Sequence, residues 1–368
     1  MKILLVTQDY YPVQGGIQSY CHEVAMSLCK QGVDLTMICP GEVQESDATL
    51  PFKVIRVKIH SSFLFLKLLR LLPKHLKAHS YDHVLFGQWQ NAIGFLWNKP
   101  KGPKYHTMVH GRELLHGVFG PLTPWLCAKV YRKLDGVVPN SYPIAQMFQD
   151  TVPGFENIHV IHPGVDAKRF TPQPKSTLKT ELGLANKKLL VSITRLVARK
   201  NIALVMQALP LVLKEEPNAH IVVGGRGPEL ANLHALRTQL KLEEHITILG
   251  SIPADRLVEH FALGDIFLLP SSQSSKDVEG FGIVFLEAGA CEVPVIGANT
   301  GGIKDAVVHQ QTGLLLEELT QEVLAQAILL LLKNPTQAQS MGQAARQRIL
   351  AELTWETCGQ NYMDKVFS

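Results

Sequence analysis

The 368-residue sequence has no long hydrophobic run and no large surplus of charge of either sign. A secretory leader needs an apolar core of roughly 7–15 residues, and residues 3–6 near the start supply only four. The longest stretch without Asp, Glu, Lys or Arg is 83–98, which contains Gln, Asn and Gly. It is shorter than the roughly 20 apolar residues of a membrane-spanning helix. We therefore expect a cytoplasmic protein, or one attached peripherally at the inner face of the cell membrane.

The six cysteines are scattered, without a C-x-x-C motif or a Cys/His group at zinc-ligand spacing. This pattern indicates free thiols in a reducing compartment. The 36 basic and 32 acidic residues leave a formal charge of +4, which is too small to favour nucleic acid as a partner. Residues 1–170 carry 18 basic and 12 acidic residues, whereas the remainder carries 18 and 20. The two halves are therefore expected to meet different partners.

Short aliphatic or β-branched runs alternate along the chain with segments of helical spacing. The predicted strands of the front half are 2–7, 33–39, 54–59, 83–87, 105–109, 136–139 and 158–161. Those of the back half are 189–193, 220–224, 246–249, 266–270, 294–297 and 313–316. Apolar strands that alternate with helices are typical of parallel sheets covered on both faces. Because thirteen strands exceed what one doubly wound sheet usually holds, we predict an α/β protein with two such domains.

The boundary between these domains is predicted within 163–185, where three prolines and mixed charges replace the apolar pattern. We expect a front domain of residues 1–168 and a back domain of residues 169–354, both Rossmann-like and facing across a cleft. Ligands of such domains bind at the carboxyl ends of the strands. The tail from about residue 335 is predicted to be helical.

Glycines follow two of the predicted strands. Gly15 and Gly16 stand between the first strand and a helix, where backbone N–H groups can approach a phosphate or sugar closely. A tight turn is the alternative interpretation. Gly225 and Gly227 follow strand 220–224, but Leu230 occupies the place of the third glycine in a dinucleotide fingerprint. A nicotinamide-binding domain is therefore not favoured.

Three cations follow strand 189–193 within six residues, namely Arg195, Arg199 and Lys200. A position just past a buried strand favours a place at the ligand-binding end of the sheet. Arg195 can offer a bidentate fork to a diphosphate, and Lys200 can offer a point charge. The alternative is an ordinary solvated basic turn.

The segment 279–288 combines more candidate ligand-binding features than any other part of the sequence. A polar loop, 271–278, leads to Glu279, and Gly280 and Gly282 then precede a helix whose free N–H groups suit a diphosphate. Glu287 lies about two turns further among apolar residues, and its burial would be costly without a partner such as a pair of ribose hydroxyls. Glu279 as a helix N-terminal charge and Glu287 as a solvent-facing residue are the alternatives.

His110 ends the predicted strand 105–109 and is followed by Gly111. A lone histidine is often structural, but this position at a strand end also fits catalysis. Both interpretations stay open from the residues alone.

Segment 63–77 combines nine Phe and Leu residues with four cations at helical spacing. The cations are Lys67, Arg70, Lys74 and Lys77. Such a stripe is typical of a helix that lies on an anionic membrane surface, and Pro73 is expected to kink or split that helix. The alternative is an ordinary helix that packs its leucines on the sheet.

With these residues the chain resembles the retaining, nucleotide-sugar-dependent glycosyltransferases of family 4, which have the GT-B fold. The most specific part is Glu279-Gly-Phe-Gly followed after four residues by Glu287, and the resemblance runs along essentially the whole chain. Its other elements are Gly15-Gly16, His110-Gly111, Pro163-Gly-Val-Asp166, Arg195 with Lys200, Pro294-Val295 and Thr300-Gly301-Gly302. Thr194 and Asn201 depart from it, since the family usually has glycine there. A looser resemblance is to bacterial mannosyltransferases, including makers of phosphatidylinositol mannosides.

The resemblance implies a role for each of these residues. Arg195 and Lys200 would stabilise the departing diphosphate, and Glu287 would hold the donor ribose. Glu279 would contact the transferred sugar, and His110 would bind that sugar or help move the acceptor proton. The implied donor-binding set is Gly15, Gly16, Arg195, Lys200, Gly225, Gly280, Phe281, Gly282, Ile283 and Glu287. A terminal helix at about 355–368, with Trp355 and Tyr362 as anchors, would cross back onto the front domain.

The expected activity is retaining transfer of mannose or glucose to a lipid-linked or polysaccharide acceptor of the cell envelope. GDP-mannose and UDP-glucose are the leading donors. Because the sequence contains no Asp-x-Asp motif, we do not expect a metal-bridged diphosphate. We also expect no other cofactor, with the nucleoside-diphosphate sugar as co-substrate. Two alternatives remain, a glycan phosphorylase with lysine-bound pyridoxal phosphate and a non-catalytic sugar-nucleotide-binding protein.

Overall fold

The structure, a computed structural model, describes residues 1–12, 15–115, 120–274 and 277–368. In these ranges the strands form two six-stranded sheets in which every pairing is parallel. The strands of the first sheet are β1 Lys2–Val6, β2 Asp34–Pro40, β3 Lys53–Val57, β4 His83–Phe86, β5 Lys104–Val109 and β6 Gly136–Pro139. Those of the second are β7 Lys188–Ile193, β8 Ala219–Gly224, β9 Ile246–Gly250, β10 Ile266–Leu269, β11 Val295–Ala298 and β12 Gly313–Leu316.

The strand order is β3-β2-β1-β4-β5-β6 in the first sheet and β12-β11-β10-β7-β8-β9 in the second. In the first sheet Leu4 of β1 aligns with Thr36 of β2 on one side and with Val84 of β4 on the other. The chain therefore reverses its direction of winding at β1, and in the second sheet it does so at β7. Such reversal points leave a crevice at the carboxyl ends of the strands.

Helices connect the strands and cover the sheets. They are α1 Gly16–Lys30, α2 Leu64–Ala78, α3 Arg112–Leu115, α4 Thr123–Tyr131, α5 Tyr142–Thr151, α6 Ser176–Glu181, α7 Ile202–Leu213, α8 Leu230–Gln239, α9 Leu257–Ala262, α10 Ile283–Ala290, α11 Ile303–Ala306, α12 Gln321–Lys333, α13 Pro335–Glu352 and α14 Trp355–Lys365. Short 3-10 segments add Glu45–Thr49, Ser61–Phe63, Trp89–Leu96, Gly120–Leu122, Ala198–Lys200 and Ala254–Arg256. Strand–helix alternation, the predicted α/β organisation, is confirmed.

The chain divides by its contacts into two units. The front unit comprises 1–163, 275–280 and 355–368, and the back unit comprises 164–274 and 281–354. The predicted division at 168/169 lies five residues after the observed one. No pattern in the sequence predicted that residues 275–280 would belong to the front unit.

Helix α14 completes the front unit by packing on α1. Its Trp355 and Tyr362 side chains are buried. The Tyr362 hydroxyl lies 3.0 Å from the hydroxyl of Tyr20, and the Ser27 hydroxyl donates a hydrogen bond of 2.6 Å to the Trp355 carbonyl. Two helices far apart in sequence thus share one buried polar and aromatic contact.

One predicted strand is wrong. Segment 158–161 forms only an isolated bridge, between Ile158 and Val137 of β6. The amides of His159 and Ile161 donate to the carbonyls of Val137 and Pro139 at 2.9 and 3.0 Å. The ladder cannot continue in both directions, because Pro139 has no N–H to donate back.

Helix α2 shows that Pro73 does not split the segment, since the helix runs unbroken from Leu64 to Ala78. One face is buried through Leu64, Phe65, Leu68 and Leu72. The four cations predicted as a stripe are exposed. The buried residues of α2 therefore belong to the front core, while the cations face solvent.

A buried histidine pair in the front unit predicts sensitivity to acid. The Nδ1 of His83 lies 3.1 Å from the Nε2 of His106, and burial lowers both pKa values, that of His106 to about 3. The unfolded chain therefore binds more protons as the pH falls below about 6.5. We expect the free energy of unfolding to drop by about 2 kcal/mol between pH 7.5 and pH 5 through His106 alone.

Urea unfolding at the two pH values measures this loss. A His106→Gln variant, which cannot take up the proton, should show a flatter dependence of stability on pH. Equal dependence in variant and wild type would mean that His106 does not cause the loss.

Candidate functional site

Four polar residues lie within three positions of the ends of strands in the front sheet. Asp9 comes after β1, Gln88 after β4, His110 after β5 and Asn140 after β6. These strands are adjacent in the sheet and parallel, so their carboxyl ends meet at one edge. The sequence analysis found only His110 of this group.

The His110 imidazole is held in one orientation. Its Nε2 lies 3.1 Å from the Gly87 carbonyl oxygen, its ring meets the Tyr20 ring edge-on at 5.3 Å, and its main-chain N–H donates to the Glu113 carboxylate. Because a carbonyl only accepts, Nε2 carries a proton. In the neutral ring Nδ1 then holds a lone pair and can accept a hydrogen bond from a hydroxyl.

Asp9 is a partly buried carboxylate beside this histidine. Its two oxygens accept hydrogen bonds from the Nε2 atoms of Gln88 at 2.7 Å and of Gln18 at 3.1 Å. Burial raises the pKa of the Asp9 carboxyl, and the hydrogen bond from Gln88 opposes that rise. The strand-end rule that selected His110 would also have selected Asp9 and Gln88, had it been applied to every strand.

Residues 277–280 pack on the same strand ends. Val278 is buried in the front core, and the Ser141 hydroxyl donates a hydrogen bond of 2.8 Å to the Gly280 carbonyl. A Cβ atom on residue 280 would lie 2.6 Å from the His110 carbonyl oxygen and 2.9 Å from Nδ2 of Asn140. Only glycine allows this approach. The half-buried Glu279 therefore directly precedes a residue in contact with His110.

Arg56 fixes the segment that follows β1. Its side chain makes a two-pronged ion pair with Asp47, at 2.7 and 3.0 Å, and also donates to the carbonyl of Tyr11. The side chain of Arg56 is almost fully buried. Gly15 caps α1 and Gly16 begins it. The donor-binding role of this glycine pair stays a prediction.

In the back unit the cationic turn after β7 carries Arg195 and Lys200. The Arg195 side chain is exposed, whereas Lys200 is buried in a 3-10 turn. Asn201 follows with φ of 56°. Asparagine tolerates this left-handed conformation better than most residues, which explains how it replaces the family's usual glycine.

The glycine turn after β8 supports that cationic turn. The Leu196 amide donates to the Arg226 carbonyl at 2.8 Å, and the Glu229 amide donates to the Leu196 carbonyl at 3.1 Å. A Cβ atom on Gly225, whose φ is 134°, would overlap the Thr194 carbonyl. Gly225 therefore lets the two turns touch, and its contact with a donor stays a prediction.

Helix α10 begins at Ile283 with Gly282 as its N-cap, as predicted. The Phe281 ring is 2% exposed and belongs to the back core. Phe281 can therefore offer a donor its main chain but not its ring. Gly280 does not open this helix, because it lies in the segment that packs on the front unit.

Glu287 is half-buried on α10. Burial raises the pKa of its carboxyl to about 7, and the Arg169 charge opposes the rise. Near neutral pH this group can accept hydrogen bonds as a carboxylate or donate one as an acid. That versatility suits a partner with two hydroxyls, which both donate and accept.

Two further findings concern the described ranges only. They contain no group of three His, Cys, Asp or Glu residues that could hold a metal ion. They also contain no helix that is both long and apolar enough to cross a membrane.

Comparison with known proteins identifies both halves of the chain. The family model described as Glycosyltransferase Family 4 matches residues 14–169, and that described as Glycosyl transferases group 1 matches residues 175–348. The two matches meet close to the boundary between the units.

Similar proteins align along nearly the whole length. The GDP-mannose-dependent alpha-(1-6)-phosphatidylinositol monomannoside mannosyltransferase of Mycolicibacterium smegmatis is 29% identical, over 97% of this chain and 96% of its own. The GDP-mannose-dependent monoacylated alpha-(1-6)-phosphatidylinositol monomannoside mannosyltransferase of Corynebacterium glutamicum is 28% identical, over 98% and 96%. The crystal structure of Anabaena HepE in complex with UDP has a TM-score of 0.84 over the whole of both chains, at 20% identity. The two family matches, the full-length relatives and the pair of parallel sheets show that the chain belongs to the family 4 glycosyltransferases of the GT-B fold and is a hexosyltransferase.

Proposed function

We propose that the protein is a retaining hexosyltransferase that moves mannose or glucose from a nucleoside-diphosphate sugar to a lipid-linked or glycan acceptor of the cell envelope. The observation that carries this proposal is the packing of Gly280 against the His110 carbonyl. It brings the segment that bears Glu279 to the strand ends that hold His110, Asp9 and Asn140. A sugar bound there would meet the carboxyl group of Glu279 and the imidazole of His110.

The back unit supplies the donor site in this proposal. Arg195 and Lys200 neutralise the charge that develops on the diphosphate as the bond to the sugar breaks, which is the electrostatic task of a metal in other transferases. The N-terminus of α10 adds main-chain N–H groups for phosphate. The Glu287 carboxyl group forms hydrogen bonds with the two ribose hydroxyls, both as acceptor and as donor. We propose on this basis that transfer needs no metal.

The front unit supplies the acceptor site. A hydroxyl of the transferred sugar donates to Nδ1 of His110, while Glu279 contacts the same sugar. The new bond joins the acceptor oxygen to the anomeric carbon on the face from which the diphosphate departs. The acceptor proton passes to the leaving phosphate, so that charge and atoms balance. Asp9 and Gln88 hold the acceptor's other hydroxyls.

GDP-mannose is the favoured donor, with UDP-glucose second. Support comes from the full-length relatives, whose names specify GDP-mannose and a phosphatidylinositol mannoside acceptor. HepE was crystallised with UDP, but its likeness concerns the fold. No observation favours a phosphorylase or a non-catalytic protein over a transferase.

Thermal unfolding with UDP, GDP, ADP and dTDP, each with and without magnesium, tests the donor site. A ligand at 100 times its Kd stabilises the folded state by about 2.7 kcal/mol. We expect one nucleotide, GDP first, to raise Tm equally with and without magnesium. A rise that needs magnesium would contradict metal independence. No rise with any of the four would contradict the donor site itself.

We also propose that α2 rests on the anionic face of the membrane through its cations, listed above as Lys67, Arg70, Lys74 and Lys77. Each basic residue near such a surface contributes about 1 kcal/mol. Replacing all four with Gln should therefore weaken binding to phosphatidylglycerol vesicles by about 100-fold or more. Vesicle sedimentation measures this, with phosphatidylcholine vesicles and a Lys214→Gln, Lys241→Gln variant as controls. Unchanged binding by the four-cation variant would contradict the proposal.

A further inference from the structure

A cavity of about 260 Å³ lies in the front unit between α2 and the 3-10 segment Trp89–Leu96. Its lining is mostly apolar and includes Leu69, Leu72, Phe95 and Trp97. This volume is slightly below the usual range for small-ligand pockets, and apolar lining is typical of them. The cavity uses none of the residues assigned above to donor or acceptor.

The surface at the cavity is also apolar. At 3.6 residues per turn, Leu66, Leu69 and Pro73 form a row on α2 beside its buried row. Leu66 is 50% exposed and Leu69 40% exposed, while Trp97 is 77% exposed. Contiguous exposed apolar groups of this kind mark a binding surface.

The row of cations adjoins this apolar row on its other side. Residues 63–78 contain no Asp or Glu, and Lys67, Arg70, Lys74 and Lys77 form no ion pair among the residues that the structure describes. Going around α2, the buried face with the cavity therefore comes first, the exposed apolar row lies beside it, and the cations lie beyond that row. A ligand that fits this order has an apolar chain joined to an anionic head.

We propose that the cavity binds one acyl chain of an anionic phospholipid, whose head group contacts the cations of α2. This inference extends the proposed membrane contact of α2, because it requires a built site for a single lipid rather than a charged surface alone. A polar ligand fits poorly, since Asn91 and Asn98 are the polar residues of the lining. The charge complementarity of α2 selects an anionic lipid over a neutral one.

The test uses lysophosphatidylglycerol with a brominated acyl chain, kept below its micelle concentration. Bromine quenches tryptophan, and Trp97 lies in the lining. We expect saturable quenching of the full-length protein, which a Trp97→Phe variant loses. Trp125, which is 56% exposed, reports contact elsewhere on the surface.

A Gly94→Leu variant fills the cavity without removing a cation. A Cβ atom on Gly94 would lie 3.1 Å from Cδ2 of Leu69, the movable end of a flexible side chain. We expect this variant to bind the monomeric lipid at least tenfold more weakly while its nucleotide-induced rise in Tm stays intact. Leu69→Gln provides a second variant, at an exposed position, should Gly94→Leu lower stability.

Quenching that is equal in the wild type, in Gly94→Leu and in Leu69→Gln would overturn the proposal. So would quenching that occurs only on vesicles and depends only on the cations, because it would indicate surface attachment without a lipid site. Failure of the nucleotide shift, by contrast, would affect the donor site and leave this inference standing.

Discussion

Replacing Lys200 with alanine is expected to lower kcat by about 100- to 1,000-fold, the usual cost of removing one preorganised charge or donor from a site of developing negative charge. Lys200 as a residue is only 8% exposed. Charge interactions are stronger in such a water-poor setting than in bulk solvent. Arg195 is exposed, and its loss should cost less.

Initial rates with GDP-mannose and with UDP-glucose measure this effect. Lys214→Ala, which removes an exposed lysine at the end of α7, serves as the matched control. The apparent Kd for the nucleoside diphosphate should rise much less than kcat falls, since the interaction strengthens as the diphosphate departs. A Lys200→Ala enzyme with normal kcat would remove this residue from the mechanism.

Gly280→Ala is expected to lower kcat by about 100-fold, because displacement of reacting groups by about 1 Å has effects of that size. The added methyl group would lie 2.6 Å from the main-chain oxygen of His110, which cannot move aside as a side-chain end can. Residues 277–280 must therefore shift, and Glu279 shifts with them.

Nucleotide binding, measured by the thermal shift, should largely survive in Gly280→Ala, because the proposed phosphate and ribose ligands Arg195, Lys200 and Glu287 lie in the back unit. Gly94→Ala is the control for adding one methyl group to a glycine, since its nearest neighbour is the flexible end of Leu69. A Gly280→Ala enzyme with normal activity would show that the position of residues 277–280 does not matter for catalysis.

Much of the local structure of the back unit could be predicted from the sequence, because turns and helix caps depend on neighbouring residues. The Gly282 N-cap and the turn after β7 each depend on residues within a few positions of one another. Turn and cap preferences act over the same range. Such features can be found by inspecting one segment at a time.

The front half of the candidate site depends on distant partners. No local pattern indicates that Ser141 donates to Gly280, 139 residues later, or that Gln88 donates to Asp9. These contacts follow from which strand ends become neighbours, and that order is a property of the whole sheet. The failure at 158–161 is of another kind, since there a single missing N–H at Pro139 outweighs the β-propensity of the run.

The order of synthesis gives α14 a consequence for how the protein matures. Helix α1 leaves the ribosome early, but the Tyr362 that covers its Tyr20 is made 342 residues later. The residues of the back unit, 164–274 and 281–354, are all synthesised before this contact can form. During translation α1 therefore keeps an uncovered face. Of the two units, the front unit begins to fold first and finishes last. Chaperones can therefore bind the uncovered face of α1 throughout this time.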